Sequence, residues 1–83
     1  MTDMAVRNAK GKEKPYKLAA GAGLYLQVMP SGARYWRMKY RTEGKEKLLS
    51  IGVYPEVSLK EAISKRDEAR LVLRSGKDPS EER

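Results

Sequence analysis

Apolar and polar side chains alternate along the middle of the chain, in two consecutive runs. In the first run, 33–41, the odd-numbered positions are mostly basic, and the even-numbered positions include three large side chains: Trp36, Met38 and Tyr40. Successive strand side chains point to opposite faces, so this run predicts a strand with one core side and one positively charged side. The second run, about 45–52, follows Thr42-Glu43-Gly44, a three-residue connection typical of a β-hairpin. We expect Leu49 and Ile51 to face inward, and Leu48 and Ser50 to face outward.

A further strand is predicted over residues 24–29, because its alternate positions are apolar and Pro30-Ser-Gly32 ends the run as a turn. A short extra strand is predicted near 16–18, and the Gly-containing segment 20–23 that follows ends it.

Two helices are predicted, one near each end of the chain. Ser58 and Glu61 match the capping-box pattern, and Ser75-Gly76 provides a natural stop. Between them, apolar residues recur at helical spacing: Leu59, Ala62, Ile63, Ala69, Val72 and Leu73. Thr2 or Asp3 can cap a short helix that continues to about residue 9. The expected fold class is α+β: a three-stranded antiparallel sheet, with the short extra strand near 16–18, packed on one C-terminal helix and preceded by a short N-terminal helix.

The sequence predicts three parts. Residues 1–15 combine the short helix with a basic arm, and residues 16–76 contain the strands and the long helix of one domain. Residues 77–83 are interpreted as the start of a linker to domains further along a longer protein, because Pro79 stops the helix and no apolar face follows.

Composition excludes several kinds of site. The 83 residues include no cysteine and no histidine, so thiolate metal sites, zinc enzymes and Ser-His-Asp triads cannot be built within them. We therefore expect a chain that is not an enzyme and that holds no metal and no cofactor. No apolar run approaches the roughly 20 residues that span a bilayer, and the N-terminus lacks the apolar stretch of a signal peptide. The expected location is cytoplasmic, without a membrane partner.

The positive charge is concentrated in the strand-rich part of the chain. The net charge is +7, and residues 1–57 hold 11 Lys/Arg against 5 Asp/Glu, whereas residues 58–83 hold 7 against 6. This asymmetry favours a polyanionic partner at one surface.

Candidate nucleic-acid contacts follow from the predicted basic face. Arg37, Lys39 and Arg41 share it, and by parity Tyr25 and Gln27 of the neighbouring strand join them. Arginine can pair with guanine and glutamine with adenine, whereas lysine more often contacts phosphate. Candidates for edge or phosphate contacts are Lys17, Arg34, Tyr35, Lys45 and Lys47.

Two other functions remain open from these residues. Small α+β domains with a basic sheet also bind RNA, and Tyr25 and Tyr35 would then act as stacking platforms. Alternatively, the domain could bind other proteins through its long helix, where Leu71 lies off the apolar stripe.

Several short motifs occur in an order that resembles one known family. They are Tyr16-Lys-Leu, Gly23-Leu-Tyr-Leu, Tyr35-Trp-Arg, Tyr40-Arg, Gly52-Val-Tyr-Pro-Glu-Val-Ser-Leu, Ala62 and Gly76-Lys-Asp-Pro. Together they cover nearly the whole chain and are similar to the N-terminal arm-binding domain of prophage and pathogenicity-island integrases, which are tyrosine recombinases. One departure is the apolar segment 19–22 ahead of Gly23, where this family is expected to have a more polar turn, often with Asp.

The resemblance implies a domain that binds arm-type sites in double-stranded DNA and so supports integration and excision by the parent recombinase. It implies a sheet inserted into the major groove and a catalytic domain C-terminal to this region. The five tyrosines of this chain are then not candidates for the recombinase nucleophile. It further implies contacts with other integrase protomers through domains absent from this chain, and association with the bacterial nucleoid when the protein is bound to DNA.

Overall fold

The computed structural model describes residues 2–81, which form one sheet with its helices on the same side. In chain order the elements are α1 (Asp3–Arg7), β1 (Tyr16–Gly21), β2 (Leu24–Val28), β3 (Arg34–Thr42), β4 (Lys45–Tyr54) and α2 (Leu59–Arg74), followed by a 3₁₀ turn at Pro79–Glu81. The strands lie in the order β1-β2-β3-β4, and each neighbouring pair is antiparallel. The α+β class is confirmed, but the sheet has four strands instead of three main ones.

The fourth strand is the short extra strand that the sequence placed near 16–18. It extends to Gly21 and pairs with β2, from Tyr16 opposite Val28 to Ala19 opposite Tyr25. Alanine and glycine have weak strand propensity, so the later half of β1 is hard to recognise locally. Pairing with β2 overrides that weak preference.

The β3–β4 hairpin has a tighter turn than the sequence suggested. β3 continues through Thr42, which pairs with Lys45, so only Glu43 and Gly44 connect the strands. Both have positive φ angles, 52° and 76°. Two such residues are typical of a type I′ turn, whose twist matches that of the flanking strands. The expected three-residue loop is therefore wrong.

A β-bulge changes the parity of β4 near its end, so that Val53 lies on the same face of the sheet as Ser50. Trp36 pairs with Gly52 and Arg37 pairs with Ser50, which leaves Ile51 as the extra residue. Leu49 and Ile51 are buried, as predicted, and Leu48 and Ser50 are exposed. Gly52 is needed because a Cβ at this position would lie 2.4 Å from Val57 Cγ2.

The core lies between the sheet and α2, with α1 closing one end. Trp36 is fully buried at its centre, and its indole N–H donates a hydrogen bond of 2.8 Å to the Val57 carbonyl. The other buried residues of this cluster are Val6, Leu24, Leu26, Val28, Met38, Tyr40, Leu49, Ile51, Leu59, Ala62 and Ala69. The predicted packing of the helix on the apolar sheet face is confirmed. Within residues 2–81, neither helix is both long and apolar enough to cross a membrane.

The ends of α2 follow the local signals in the sequence. The Ser58 hydroxyl accepts a hydrogen bond from the Glu61 N–H at 3.2 Å, as the capping box requires. At the other end, Gly76 has a φ of 87°, and the Lys77 N–H reaches the Val72 carbonyl at 3.2 Å. This is the Schellman arrangement that ends a helix at glycine.

The segment after α2 returns to the helix side of the β3–β4 hairpin. Asp78 accepts hydrogen bonds of 2.5 Å from the Tyr40 hydroxyl and from Lys47 Nζ, and Ser80 donates two more. These donors, Lys47 above all, hold the pKa of Asp78 well below its usual range. Burial, together with the bond to Asp78, raises the pKa of Tyr40. We call Tyr40, Lys47 and Asp78 the Asp78 anchor.

We expect Asp78→Asn to lower the melting temperature at pH 7, because the substitution removes the charge that both donors bind. The folded-state pKa of Asp78 lies below its ordinary value of about 3.9, so this stability is present above about pH 4 and is lost as the pH falls further. Melting temperatures measured from pH 7 to pH 2 should therefore show the gap between wild type and variant closing below about pH 4. Glu56→Gln, at an exposed loop position, is the control and should have little effect. A gap that stays constant with pH would contradict the role of the ionised carboxylate.

Candidate nucleic-acid interface

The sheet face that points away from the helices is built from alternate residues of all four strands. We call it the open face. Strand register arranges its side chains in rows, one of which joins Ala19, Tyr25, Arg37 and Ser50. The row on one side of it joins Lys17, Gln27, Tyr35 and Val53. On the other side, the next row pairs Lys39 with Leu48, and the row after that pairs Arg41 with Glu46. The open face thus carries four cations and one carboxylate.

Tyr25 lies on the open face, as alternation predicts, but it is only 7% exposed. The Lys17 ammonium lies 5.0 Å from the centre of its ring, and Arg37 is its register partner on β3. Tyr25 therefore lies beneath Lys17 and presents little free ring surface to a base. Cation–π contacts of this kind help to hold long basic side chains in place.

Arg37 lies in the middle of the open face and is half-buried. Its guanidinium carbon is 5.7 Å from the centre of the Tyr35 ring, two residues earlier on the same strand. The Arg37 Nε–H is buried and has no hydrogen-bond partner among residues 2–81. Leaving such a donor unpaired costs roughly 1–3 kcal/mol, so an acceptor brought by a ligand would relieve the cost.

Lys39 is paired with Glu46 across the hairpin, with 2.8 Å between Nζ and Oε1. Their mutual hydrogen bond is the main reason that the pKa of Lys39 is raised and the pKa of Glu46 is lowered. Both side chains are about half exposed. An exposed ion pair contributes little stability, so Lys39 can exchange Glu46 for a phosphate at small cost.

Glu46 is the residue of this surface that the sequence analysis overlooked. β3 itself contains no acidic residue, but Glu46 is the register partner of Arg41 on β4. The alternation that places Leu48 outward also places Glu46 outward, so the same parity would have identified it.

Two of the predicted contacts lie on the helix side of the sheet. Arg34 donates from Nη1 to the carbonyls of Val6 and Arg7, at 3.2 and 3.3 Å, and its guanidinium covers the Tyr54 ring at 4.5 Å. Lys47 belongs to the Asp78 anchor. Strand alternation and these partners place both residues away from the open face, and their phosphate contacts stay predictions.

Lys45 shares the parity of Lys47 but is exposed at the very end of the hairpin, opposite Thr42. Gln27 and Tyr35 lie side by side on the open face and are half-buried. The basic arm contains exposed lysines at positions 10, 12 and 14, and Lys12 lies 4.7 Å from the centre of the Tyr16 ring.

The chemistry of this surface is that of binding. Among residues 2–81, no group of three or more acidic side chains lies close enough together to hold a metal ion. The open face instead combines cationic donors with one amide side chain, Gln27, and with the partly buried Tyr35. These groups suit phosphates and base edges.

Comparison with known proteins agrees with this chemistry. Residues 1–83 match the arm DNA-binding domain family. The chain is 53% identical over 76 residues to the integrase of Enterobacteria phage P4, covering 89% of this chain and 17% of that protein. It is 46% identical over 79 residues to the integrase of Shigella phage Sf6 and to the prophage integrase IntS of Escherichia coli K12, covering 95% of this chain and 20% of each relative.

The chain thus spans about a fifth of the length of these curated relatives, and it corresponds to their N-terminal part. This part of an integrase binds DNA and is not catalytic. The chain belongs to the arm DNA-binding domain family of phage and prophage integrases.

Proposed function

We propose that the open face enters the major groove of duplex DNA at arm-type sites of an attachment region. The observation that carries this proposal is the alignment of Arg37, Lys39 and Arg41 on one face of β3, with Lys17 beside them and Glu46 as the counter-charge. By this binding the chain supports site-specific integration and excision by its parent recombinase at the bacterial nucleoid. Contacts with other integrase protomers, made through the rest of that protein, are part of the same proposal.

The shape of the β3–β4 hairpin supports a major-groove contact. β2 pairs with β3 only as far as Met38, so β3 and β4 continue alone as a two-stranded ribbon to Thr42 and Lys45. The major groove, about 12 Å wide, admits a two-stranded ribbon of this kind. The Asp78 anchor supports the ribbon from behind, on the helix side.

The burial of Tyr25 favours duplex DNA over single-stranded RNA. Recognition of single strands depends on aromatic rings on which bases can stack, and Tyr25 offers little free surface. Competition between a duplex DNA and an RNA of the same sequence tests this preference. Stronger competition by the RNA would favour the RNA-binding alternative.

We expect Arg37→Ala to weaken binding to a selected DNA site by about 10- to 100-fold and to blur the preference at one or two base pairs. The reason is that Arg37 lies in the middle of the face, where a guanidinium can reach a guanine edge. Affinities for the selected site and for unrelated duplexes are measured in the same buffer. Lys60→Ala, which removes an exposed cation from α2, is the control and should change neither affinity appreciably. Equal losses on both kinds of DNA would mean that Arg37 contacts only the backbone, and that the sheet is not reading bases.

A further inference from the structure

A large apolar side chain stands in the middle of the charged surface. Leu48 is 53% exposed on the open face, where it is the register partner of Lys39. Its neighbours on the same face of β4 are Glu46 and Ser50, both exposed. The other large apolar side chains that are exposed among residues 2–81 are Met4, Val53 and Leu71.

Position distinguishes Leu48 from the other three. Met4 and Leu71 lie on the helices, and Val53 lies near the end of β4, opposite Tyr35. Leu48 instead lies where the β3–β4 ribbon begins to extend past β2, between the rows of Arg37 and Arg41. A single exposed leucine is ordinary in water, but here docking of the open face would remove it from water.

We propose that Leu48 contacts the C5-methyl group of a thymine and so contributes to sequence specificity. The inference rests on the proposed function and specifies one chemical feature of the DNA site. In the major groove, the thymine methyl is the apolar group that a base edge presents. A polar base edge against Leu48 would lose its water without gaining a hydrogen bond, which is unfavourable. Leu48 therefore favours thymine at its position and disfavours bases that lack the methyl group.

The basic side chains around Leu48 indicate where the contacted thymine lies relative to the base pairs that Arg37 reaches. On β3, Lys39 and Arg41 lie next to Leu48 and can bind phosphates, whereas Arg37, one row away, can reach a neighbouring base edge. The thymine should therefore lie within a few base pairs of the position that Arg37→Ala blurs.

The test compares thymine with uracil in otherwise identical duplexes, because uracil keeps the base pair and lacks only the methyl group. A site is first selected from random duplexes with the 83-residue chain, and its thymines are then replaced by uracil, together and one at a time. We expect the wild type to bind the uracil duplex about fourfold more weakly, the effect of one buried methyl group, with the loss confined to one or two positions. Leu48→Ala should bind the thymine duplex more weakly than wild type does and should not distinguish the two duplexes.

Leu71→Ala is the matched control, because it removes the same side chain from an exposed position on α2. It should retain the wild-type preference for thymine. Both variants should melt like wild type, since neither leucine is in the core. A wild type that binds both duplexes equally, or a Leu48→Ala variant that keeps the preference, would overturn the proposal.

Arg37→Ala in the same assay separates this proposal from the one on which it rests. If Arg37→Ala weakens binding but the wild type shows no preference for thymine, the open face still binds DNA and only the role of Leu48 is overturned. If Arg37→Ala and Leu48→Ala both bind like wild type, the placement of the open face in the groove is overturned as well.

Discussion

Replacing Trp36 with alanine is expected to destabilise the domain by about 3–5 kcal/mol. Trp36 is fully buried at the centre of the core, and it also satisfies the Val57 carbonyl through its indole N–H. Alanine would leave a large cavity and an unpaired carbonyl together. A domain of 83 residues has a total stability of only about 4–12 kcal/mol, so a large share of the chains could unfold at room temperature.

Urea unfolding, followed by circular dichroism, measures this loss directly. Trp36→Phe is the graded control: it keeps most of the packing and loses the hydrogen bond, so its destabilisation should fall between wild type and Trp36→Ala. Normal unfolding of Trp36→Ala together with weaker DNA binding would place the tryptophan on the binding surface and contradict the observed faces of β3.

Binding to duplex DNA is expected to weaken steeply as the salt concentration rises. If Arg37 contacts bases, four other cations remain on or beside the open face for phosphates: Lys17, Lys39, Arg41 and Lys45. Neutralising about four phosphates gives a slope of log affinity against log salt near −3.6. Raising the salt from about 50 to 200 mM should then reduce the affinity roughly 100- to 200-fold.

Two lysine variants show which cations produce this slope. Lys39→Ala should reduce its magnitude by roughly one, because one phosphate contact is lost. Lys47→Ala should leave the slope unchanged and lower the melting temperature, because Lys47 binds Asp78 on the helix side. A reduced slope for Lys47→Ala, with unchanged melting, would mean that Lys47 exchanges Asp78 for DNA. A flat salt response of the wild type would rule out phosphate contacts as the main source of affinity.

Features that depend on local pattern could be predicted from the amino-acid sequence alone. Alternation along β3 was enough to separate Trp36 from Arg37, because the two-residue period of a strand applies wherever one face is buried. The limits of α2 followed from Ser58 and Gly76, because caps are made by residues within one turn of the helix. The basic character of the open face likewise needed only parity and composition.

Features that depend on strand register and on distant partners emerge only from the folded chain. Alternation alone does not show which strand flanks β2. The sequence therefore suggested that the Tyr25 ring is available to a base, whereas in the structure Lys17 of β1 lies over that ring. The bulge at Ile51 changes the parity of β4 after the strand has begun, and the adjacent Gly52 is as typical of a strand end as of a bulge.

Arg34 and Lys47 illustrate the same limit for charged residues. Their partners lie about 30 residues away along the chain, in α1 and after α2, and only the folded arrangement brings them together. A cation has no preference between a phosphate and a protein acceptor until the fold places one of them within reach. The sequence thus determined which face carries positive charge, whereas the packing of the two chain ends against the sheet decided which cations remain available to DNA.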